Sequence, residues 1–212
     1  INYATPQSYT PKHLADKILT ARTSIEGERK LVTVLFADVA NFTSLSSKLG
    51  PEEVHQIMDG CFRILMDEIH KYEGTINQFT GDGVMALFGA PVAHEDHAQR
   101  ACHAALEIQR EIASAGGRTY GGLSVGVGID SGEVILGMVG SDRRADYTVI
   151  GDHVNFAARL CSAARAGQVI VSEASFKEAG GRLRAKGPYR VQVRGKSEAQ
   201  RVFVLEGEGV RA

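Results

Sequence analysis

Two aspartates stand at positions where carboxylates could do chemistry. Asp38 follows the apolar run Leu31–Ala37, and Asp82 lies between two glycines in the segment Thr80–Gly83. Each residue also has an ordinary structural explanation, because Asp is favoured at helix N-caps and Asp-Gly sequences form turns. Considered separately, the two aspartates leave both explanations open.

The segments around these aspartates predict neighbouring strands. The β-branched run before Asp38 is typical of a buried strand, and Thr75–Phe79 and Val84–Phe88 predict a hairpin with Asp82 in its turn. In a split βαβ sheet the strand after the first helix is expected to return beside the strand it left. The two carboxylates should then meet at one end of the sheet, where Mg²⁺ or Mn²⁺ would relieve their repulsion. Two such ions can clamp the attacking and leaving oxygens of a phosphoryl transfer.

A second candidate pair lies in the Ala-rich segment Asp152–Ala164, which predicts a helix. Asn155 and Arg159 are four residues apart and therefore share one face of that helix. A guanidinium group suits phosphate because it offers a planar fork of donors that stays charged. A solvated helix surface is the alternative explanation for this pair.

The remaining elements predict an α+β fold. A helix after Pro51 and a second one with an apolar stripe from Ala98 to Ile112 flank the hairpin. Leu123–Ile129 predicts a strand with Glu133–Val139 as its hairpin partner. Further short strands are expected at Tyr147–Ile150, Val169–Val171, Tyr189–Val193 and Arg201–Leu205. This order predicts a ferredoxin-like (split βαβ, palm-like) antiparallel sheet with helices packed on it and a small C-terminal α/β extension. Residues 1–30 are interpreted as a linker or arm and residues 31–212 as the folded domain.

Composition excludes several classes of protein. The 212 residues carry 24 basic and 25 acidic side chains, so no broad cationic field favours nucleic acid. No apolar run approaches the ~18 residues of a membrane helix, and no signal peptide is recognisable. Three widely separated cysteines form neither a disulfide framework nor a zinc motif, which favours a reducing, cytoplasmic setting.

Three separated motifs together resemble the class III nucleotidyl cyclases, the adenylyl and guanylyl cyclase family. They are Phe36–Thr43, Gly81-Asp82 and Tyr147–Arg159. The stretches Phe88–Pro91 and His94–His97 resemble bacterial members, and the resemblance covers residues 31 to about 205. Asn41 stands where many members have Gly, a mild change because Asn tolerates a left-handed backbone.

The resemblance implies a role for each matching residue. Asp38 and Asp82 match the metal-binding aspartates, and the backbone carbonyl of Val39 is expected to assist them. Asn155 and Arg159 match the pair that positions the ribose and offsets charge on the α-phosphate. Further phosphate contacts are implied for Arg143, with Arg144 as a rival, and for Lys196. The first turn after Asp38, around Phe42 and Thr43, is also expected to offer backbone N–H groups to the phosphates. In this family the sites lie between two catalytic domains, so a homodimer with two equivalent sites is implied.

The base-selecting positions are unusual for the family. Gln78 and Thr148 stand where adenylyl cyclases often have Lys and Asp. An amide and a hydroxyl can each donate or accept a hydrogen bond, so this pair can satisfy adenine or guanine. Such a pair is therefore expected to discriminate weakly between adenine and guanine.

The expected function is conversion of ATP to 3′,5′-cyclic AMP and pyrophosphate with two Mg²⁺ or Mn²⁺ ions per site. ATP is favoured because the surrounding sequence resembles adenylyl cyclases and lacks the Glu–Cys pair typical of guanylyl cyclases. A guanylyl or mixed purine cyclase is the first alternative, and a silent regulatory homology domain is the second. Regulatory domains before or after this chain are also expected.

Overall fold

The computed structural model describes residues 27–40, 42–116, 122–141, 144–193 and 196–209, together with Lys12 and Asp16. Up to residue 26 the predicted arm otherwise lies outside the described residues. None of the helices within these ranges is long and apolar enough to cross a membrane. The elements are β1 (Glu28–Ala40), α1 (Phe42–Ser46), α2 (Pro51–Lys71), β2 (Thr75–Phe79), β3 (Gly83–Phe88), α3 (His97–Gly116), β4 (Ser124–Ser141), β5 (Arg144–Ile150), α4 (Asp152–Ala163), β6 (Val169–Ser172), α5 (Glu173–Ala179), β7 (Leu183–Val191) and β8 (Gln200–Glu208).

The sheet has the strand order β2-β3-β1-β4-β6-β8-β7, and β5 pairs with β4. Its first four strands form the expected ferredoxin-like arrangement, and all three pairings among them are antiparallel. The hairpin does neighbour β1, although the predicted reason was wrong. The strand beside β1 is β3, and β2, which follows the first long helix, lies one strand further out. The two carboxylates nevertheless reach the same end of the sheet because the β2–β3 turn stands beside the end of β1.

The central part of β1, Val32–Ala37, is buried or half-buried on both faces, which explains its continuous run of apolar and β-branched residues. Leu35, Ala37 and Val39 belong to the larger core cluster, together with buried side chains of α2 and α3. Val32 and Val34 belong to a second cluster that includes Ala157 of α4. The alternation of side chains along a strand therefore assigns Asp38 to the face that α4 covers.

Glycines on β4 allow α4 to approach the sheet closely. A Cβ atom at Gly128 would collide with the backbone of Ala157 and Cys161, and one at Gly132 would collide with the ring of His153. Cys161 also donates its Sγ–H to the carbonyl oxygen of Gly126 at 3.4 Å. The glycines that the sequence places in this strand thus serve helix packing.

The predicted hairpin between Leu123–Ile129 and Glu133–Val139 is wrong. Both segments, apart from Leu123, belong to the single strand β4, and its antiparallel hairpin partner is β5. Pairing with β1 continues without a shift through Asp130, Ser131 and Gly132. A turn at these residues would break that ladder and leave buried backbone groups unpaired, which is costly. Helix α5, just after β6, was not predicted.

Candidate active site

Asp38 stands at the open end of the sheet between two glycine positions. Its neighbours across the ladders are Gly83 on β3 and Gly126 on β4. Asp82 lies in the turn that leads into β3, and its carbonyl oxygen accepts a hydrogen bond from the N–H of Val39 at 3.1 Å. This backbone bond ties the turn to the end of β1 and brings the two aspartates together, as the sequence predicts.

The carboxyl groups of Asp38 and Asp82 contact each other. The pKa of Asp38 is raised to about 6, first by burial of its carboxyl group, then by a hydrogen bond and charge repulsion from Asp82. The backbone N–H of Val39 partly offsets this rise. Asp38 therefore holds a proton in mildly acidic solution, and a divalent cation can take the place of that proton, because carboxylate oxygens are hard ligands.

The donor set fits Mg²⁺ better than a metal that needs a full protein cage. No group of three or more His, Cys, Asp or Glu side chains arranged to hold a metal occurs in the part of the chain that the structure describes. Mg²⁺ is commonly held by one or two carboxylates, with water and substrate phosphates completing its shell. Asp38 and Asp82 are sufficient for that mode of binding.

The glycines on either side of Asp82 have separate structural roles. Gly81 has a φ of 84°, a left-handed conformation that favours glycine. A Cβ atom at Gly83 would collide with the carbonyl oxygen of Ala37 and lie 2.8 Å from Oδ1 of Asp38. The approach of the turn to β1 therefore depends on a missing side chain at Gly83.

The residues after Asp38 form the short helix α1. Phe42 is half-buried and packs against the larger core cluster, whereas Thr43 is exposed. The Thr43 carbonyl oxygen accepts bonds from the N–H of Ser47 at 3.2 Å and from Oγ of Ser46 at 3.0 Å. The predicted phosphate contacts of this segment stay predictions, and Asn41 lies outside the described residues.

Asn155 and Arg159 both lie on the exposed side of α4, as the spacing predicts. The opposite side of the helix buries Ala157, Leu160 and Cys161. The pKa of Cys161 is raised to about 12, mainly by burial and then by the charge of Asp38. The C-terminal part of α4 therefore stands near the acidic pair.

Lys196 lies beside α4, with its Nζ 5.2 Å from the centroid of the Phe156 ring. It lines a cavity of about 330 Å³ together with His153, Lys177 and Arg201. Asp130 and Glu173 also line this cavity and pair with His153, Lys177 and Arg201, so its wall carries charges of both signs. Arg143 falls outside the described residues, so its predicted role stays a prediction.

The two predicted base-selecting residues occupy different edges of the central sheet. Gln78 is exposed on β2 and pairs with Met85, and Thr148 is half-buried on β5 and pairs with Gly137. Strands β3, β1 and β4 lie between them in the sheet order. Their joint contact with a base stays a prediction.

A β-bulge beside Gln78 contains Asn77, a residue that the sequence analysis did not single out. The register of β2 shifts between Ile76 and Gln78, so that Asn77 is the additional residue. Asn77 donates from Nδ2 to Sδ of Met85 at 3.9 Å, while its Oδ1 is buried and accepts no hydrogen bond from the described residues. A second amide therefore accompanies Gln78 beside Met85. A Gly-free strand gives no local signal of such a bulge.

Sequence reasoning also missed a pair between a buried carboxyl group and a half-buried histidine at the start of α4. Oδ2 of Asp130, on β4, lies 2.7 Å from Nδ1 of His153. The usable signal was a lone carboxylate inside an apolar strand, since such a residue needs a partner when it is buried.

The family model for adenylate and guanylate cyclase catalytic domains matches residues 26–207. The chain therefore belongs to this family, as the three motifs indicated. Adenylate cyclase 1 of Rhizobium meliloti is 38% identical over 136 residues, which are 62% of this chain and 20% of that protein. The chain spans between a fifth and a third of the length of the curated relatives it matches.

Solved cyclase structures share this fold. The guanylyl cyclase Cya2 is 35% identical with a TM-score of 0.81, covering 87% of this chain and 96% of that one. The adenylyl cyclase CyaB from P. aeruginosa is 28% identical with a TM-score of 0.80, covering 86% and 96% respectively. Similarity to cyclases of both base preferences establishes the nucleotide cyclase fold and does not choose between ATP and GTP.

Proposed function

We propose that this domain converts ATP to 3′,5′-cyclic AMP and pyrophosphate at a site completed by a second copy of the chain. The observation that carries the proposal is the contact between the Asp38 and Asp82 carboxyl groups at the end of the sheet. The family supports the reaction type, and the named adenylate cyclases among its similar proteins support ATP.

In the proposed reaction the ribose 3′ oxygen attacks the α-phosphorus in line. The bond from the α-phosphorus to the bridging oxygen breaks, pyrophosphate leaves, and the 3′ proton passes to water or to a phosphate oxygen. Two Mg²⁺ or Mn²⁺ ions on Asp38, Asp82 and the Val39 carbonyl would supply positive charge at the attacking oxygen and the phosphates.

The chain's other proposed groups orient the substrate. Asn155 holds the ribose by hydrogen bonds, and Arg159 offsets the negative charge that grows on the α-phosphate. Lys196 and Arg143 bind phosphate oxygens, as do the backbone N–H groups of Phe42 and Thr43. The exposed positions of Asn155 and Arg159 on α4 support contributions to a site that faces a partner.

A mixed purine or guanylyl cyclase is the second candidate. Gln78 and Thr148 can each act as hydrogen-bond donor or acceptor. Neither residue is therefore left with an unpaired polar group when guanine replaces adenine. Similarity to the guanylyl cyclase Cya2 also favours this candidate. Weak discrimination between ATP and GTP is therefore expected.

Product analysis tests the proposal directly. The protein is incubated with ATP or GTP under Mg²⁺ or Mn²⁺, and cyclic nucleotide and pyrophosphate are quantified. Asp38→Ala should lower kcat roughly a hundredfold or more, the scale seen when a group that stabilises developing charge is removed. The control is Asp67→Ala, which removes an exposed carboxylate on α2 and should leave kcat unchanged.

The outcomes separate the candidates. Equal cyclic AMP production by Asp38→Ala and the unchanged protein would contradict the metal role. Comparable kcat/KM for ATP and GTP is the expected result for Gln78 and Thr148, and a steep preference for one base would contradict weak discrimination. Absence of any cyclic product under all four conditions would favour the regulatory homology domain.

A further inference from the structure

An ion pair between the buried Asp130 and the half-buried His153 anchors the first turn of α4 to the sheet. Asp130 is only 2% exposed, and its Oδ2 lies 2.7 Å from Nδ1 of His153. A carboxylate this deeply buried is costly to ionise without a partner, and breaking such a pair leaves an uncompensated charge. The His153 ring is therefore the partner that satisfies the Asp130 carboxyl group within the sheet.

The space available to the His153 ring is also restricted. The imidazole occupies the position that a side chain at residue 132 would take, because a Cβ at Gly132 would collide with its Nε2, Cδ2 and Cε1 atoms. One ring nitrogen is thus bonded to Asp130 while the ring lies over a glycine. Both contacts are to β4, so they set how the start of α4 lies on that strand.

The charged surroundings of His153 favour its protonated form. The pKa of His153 is raised, first by the hydrogen bond to Asp130 and also by that residue's charge, while burial and Lys196 act in the opposite direction. Other charged groups facing it are Asp152 on its own helix and, across the shared cavity, Glu173, Lys177 and Arg201. Glu173 is itself paired with Lys177 at 3.0 Å and with Arg201 at 3.1 Å, so Asp130 remains the dominant partner.

We propose that the Asp130–His153 ion pair is a positioning device for α4, which holds the first turn of the helix on β4 and thereby sets the position of Asn155. His153 is a positioning residue, because it faces β4 while Asn155 is exposed two residues later, about 3 Å further along the helix axis. This inference rests on the proposed cyclase function of the same site. A displacement of about 1 Å at a substrate-positioning group can lower a rate by as much as a hundredfold.

The ion pair should make turnover depend on pH in one direction. His153 is charged below its raised pKa, so the Coulomb attraction to Asp130 is complete in mildly acidic solution. It is lost as the pH rises through that raised value. A neutral ring can still donate a hydrogen bond from Nδ1, but it no longer neutralises the carboxylate. We therefore expect an alkaline fall in kcat with the pKa of His153.

His153→Gln and Asp130→Asn test the proposal, with His103→Gln as the matched control. His103 also pairs with a carboxylate, Glu208, at 2.9 Å, but these two residues belong to α3 and β8. The kcat and KM for ATP are measured from about pH 6 to pH 9. His153→Gln should lower kcat roughly tenfold at pH 7 with little change in KM, and it should lose the alkaline limb assigned to His153. His103→Gln should behave like the unchanged protein.

A measurement on the unchanged protein separates this proposal from the proposed function. An NMR titration of the imidazole signals should place the pKa of His153 above that of an ordinary histidine, whether or not the protein turns over ATP. Titration at or below the ordinary value would overturn the ion pair. With active protein, an alkaline limb that persists in His153→Gln would overturn the positioning role. Inactivity of the unchanged protein in every buffer would instead contradict the cyclase function and leave the titration result standing.

Discussion

At the scale of single residues, the clearest effect is that of Asp82 on the pKa of Asp38. Their carboxyl groups are in contact, and the pKa of Asp38 is raised to about 6 by burial and by Asp82. The protein without metal therefore keeps a destabilising carboxylate at neutral pH. Such local instability is expected where a cation is meant to bind, because the cation removes the repulsion.

The raised pKa predicts how Asp38→Asn changes stability without metal. An Asp in the unfolded chain releases its proton near its ordinary value of 3.8, whereas the folded protein holds it to about 6. The ionised carboxylate therefore destabilises the fold progressively between these two pH values, and the cost is constant above them. The Tm of Asp38→Asn should rise relative to the unchanged protein from pH 4 to pH 6 and then stay level.

Thermal unfolding in a metal-chelating buffer from pH 4 to pH 8 measures this difference. Asp67→Asn is the matched control, since it removes an exposed carboxylate from α2. Added Mn²⁺ should raise the Tm of the unchanged protein more than that of Asp38→Asn. A Tm difference that does not vary with pH would contradict the assigned contact between the carboxyl groups.

At the scale of elements, the packing of α4 against β4 determines where Asn155 and Arg159 stand. The helix backbone at Ala157 and Cys161 touches the strand at Gly128, where no side chain intervenes. Larger residues at this position would force the helix away from the sheet, because packed interiors have little free volume. The glycines of β4 therefore act on the site through the helix.

Gly128→Ala tests the contact between these two elements. The added methyl group should destabilise the protein by about 1–3 kcal/mol, the usual cost of overpacking. It should also lower kcat, since α4 carries the proposed substrate-positioning residues. Urea unfolding measures the free energy of unfolding, and product assays measure kcat.

Gly137→Ala is the control on the same strand. A Cβ atom there would have its nearest neighbour in Gly27 at 4.0 Å, so it fits without displacement. Equal unfolding free energies for the two variants would show that close approach at Gly128 is not required.

At the scale of the whole molecule, one chain carries both halves of the proposed site. The acidic pair lies at the sheet end, and Asn155 and Arg159 lie on the exposed side of α4. A symmetric dimer uses the same surface of both chains, so two copies facing each other would complete two equivalent sites. A chain that lacks one half of the site should then form an active site with a partner chain that retains that half.

Mixing two inactive variants tests this arrangement. Asp38→Ala and Arg159→Ala, co-expressed at equal levels, should regain about a quarter of the activity of the unchanged protein, because half of the dimers are mixed and each has one intact site. Mixing Asp38→Ala with Asp82→Ala should restore nothing, since both lesions affect the same half. Purified mixed dimers without activity would place the whole site within one chain.

Local pattern predicted the elements near the acidic pair well. β2 and the second long helix occur where periodicity and glycines indicated them, and the ferredoxin-like order follows from that succession. Three motifs were sufficient to identify the cyclase family, which the family match confirms. These features depend on residues that are close together in the sequence, so they can be predicted from one sequence.

Long-range pairing required the tertiary structure. That β3 lies beside β1, that β4 continues through Asp130–Gly132, and that Asp130 meets His153 all depend on contacts between distant segments. A strand's partners are chosen by the free energy of the complete sheet, where every buried backbone group must be paired. Residue type and spacing thus determined the chemistry available to this protein, whereas only the packed sheet and helix decided which of those groups meet.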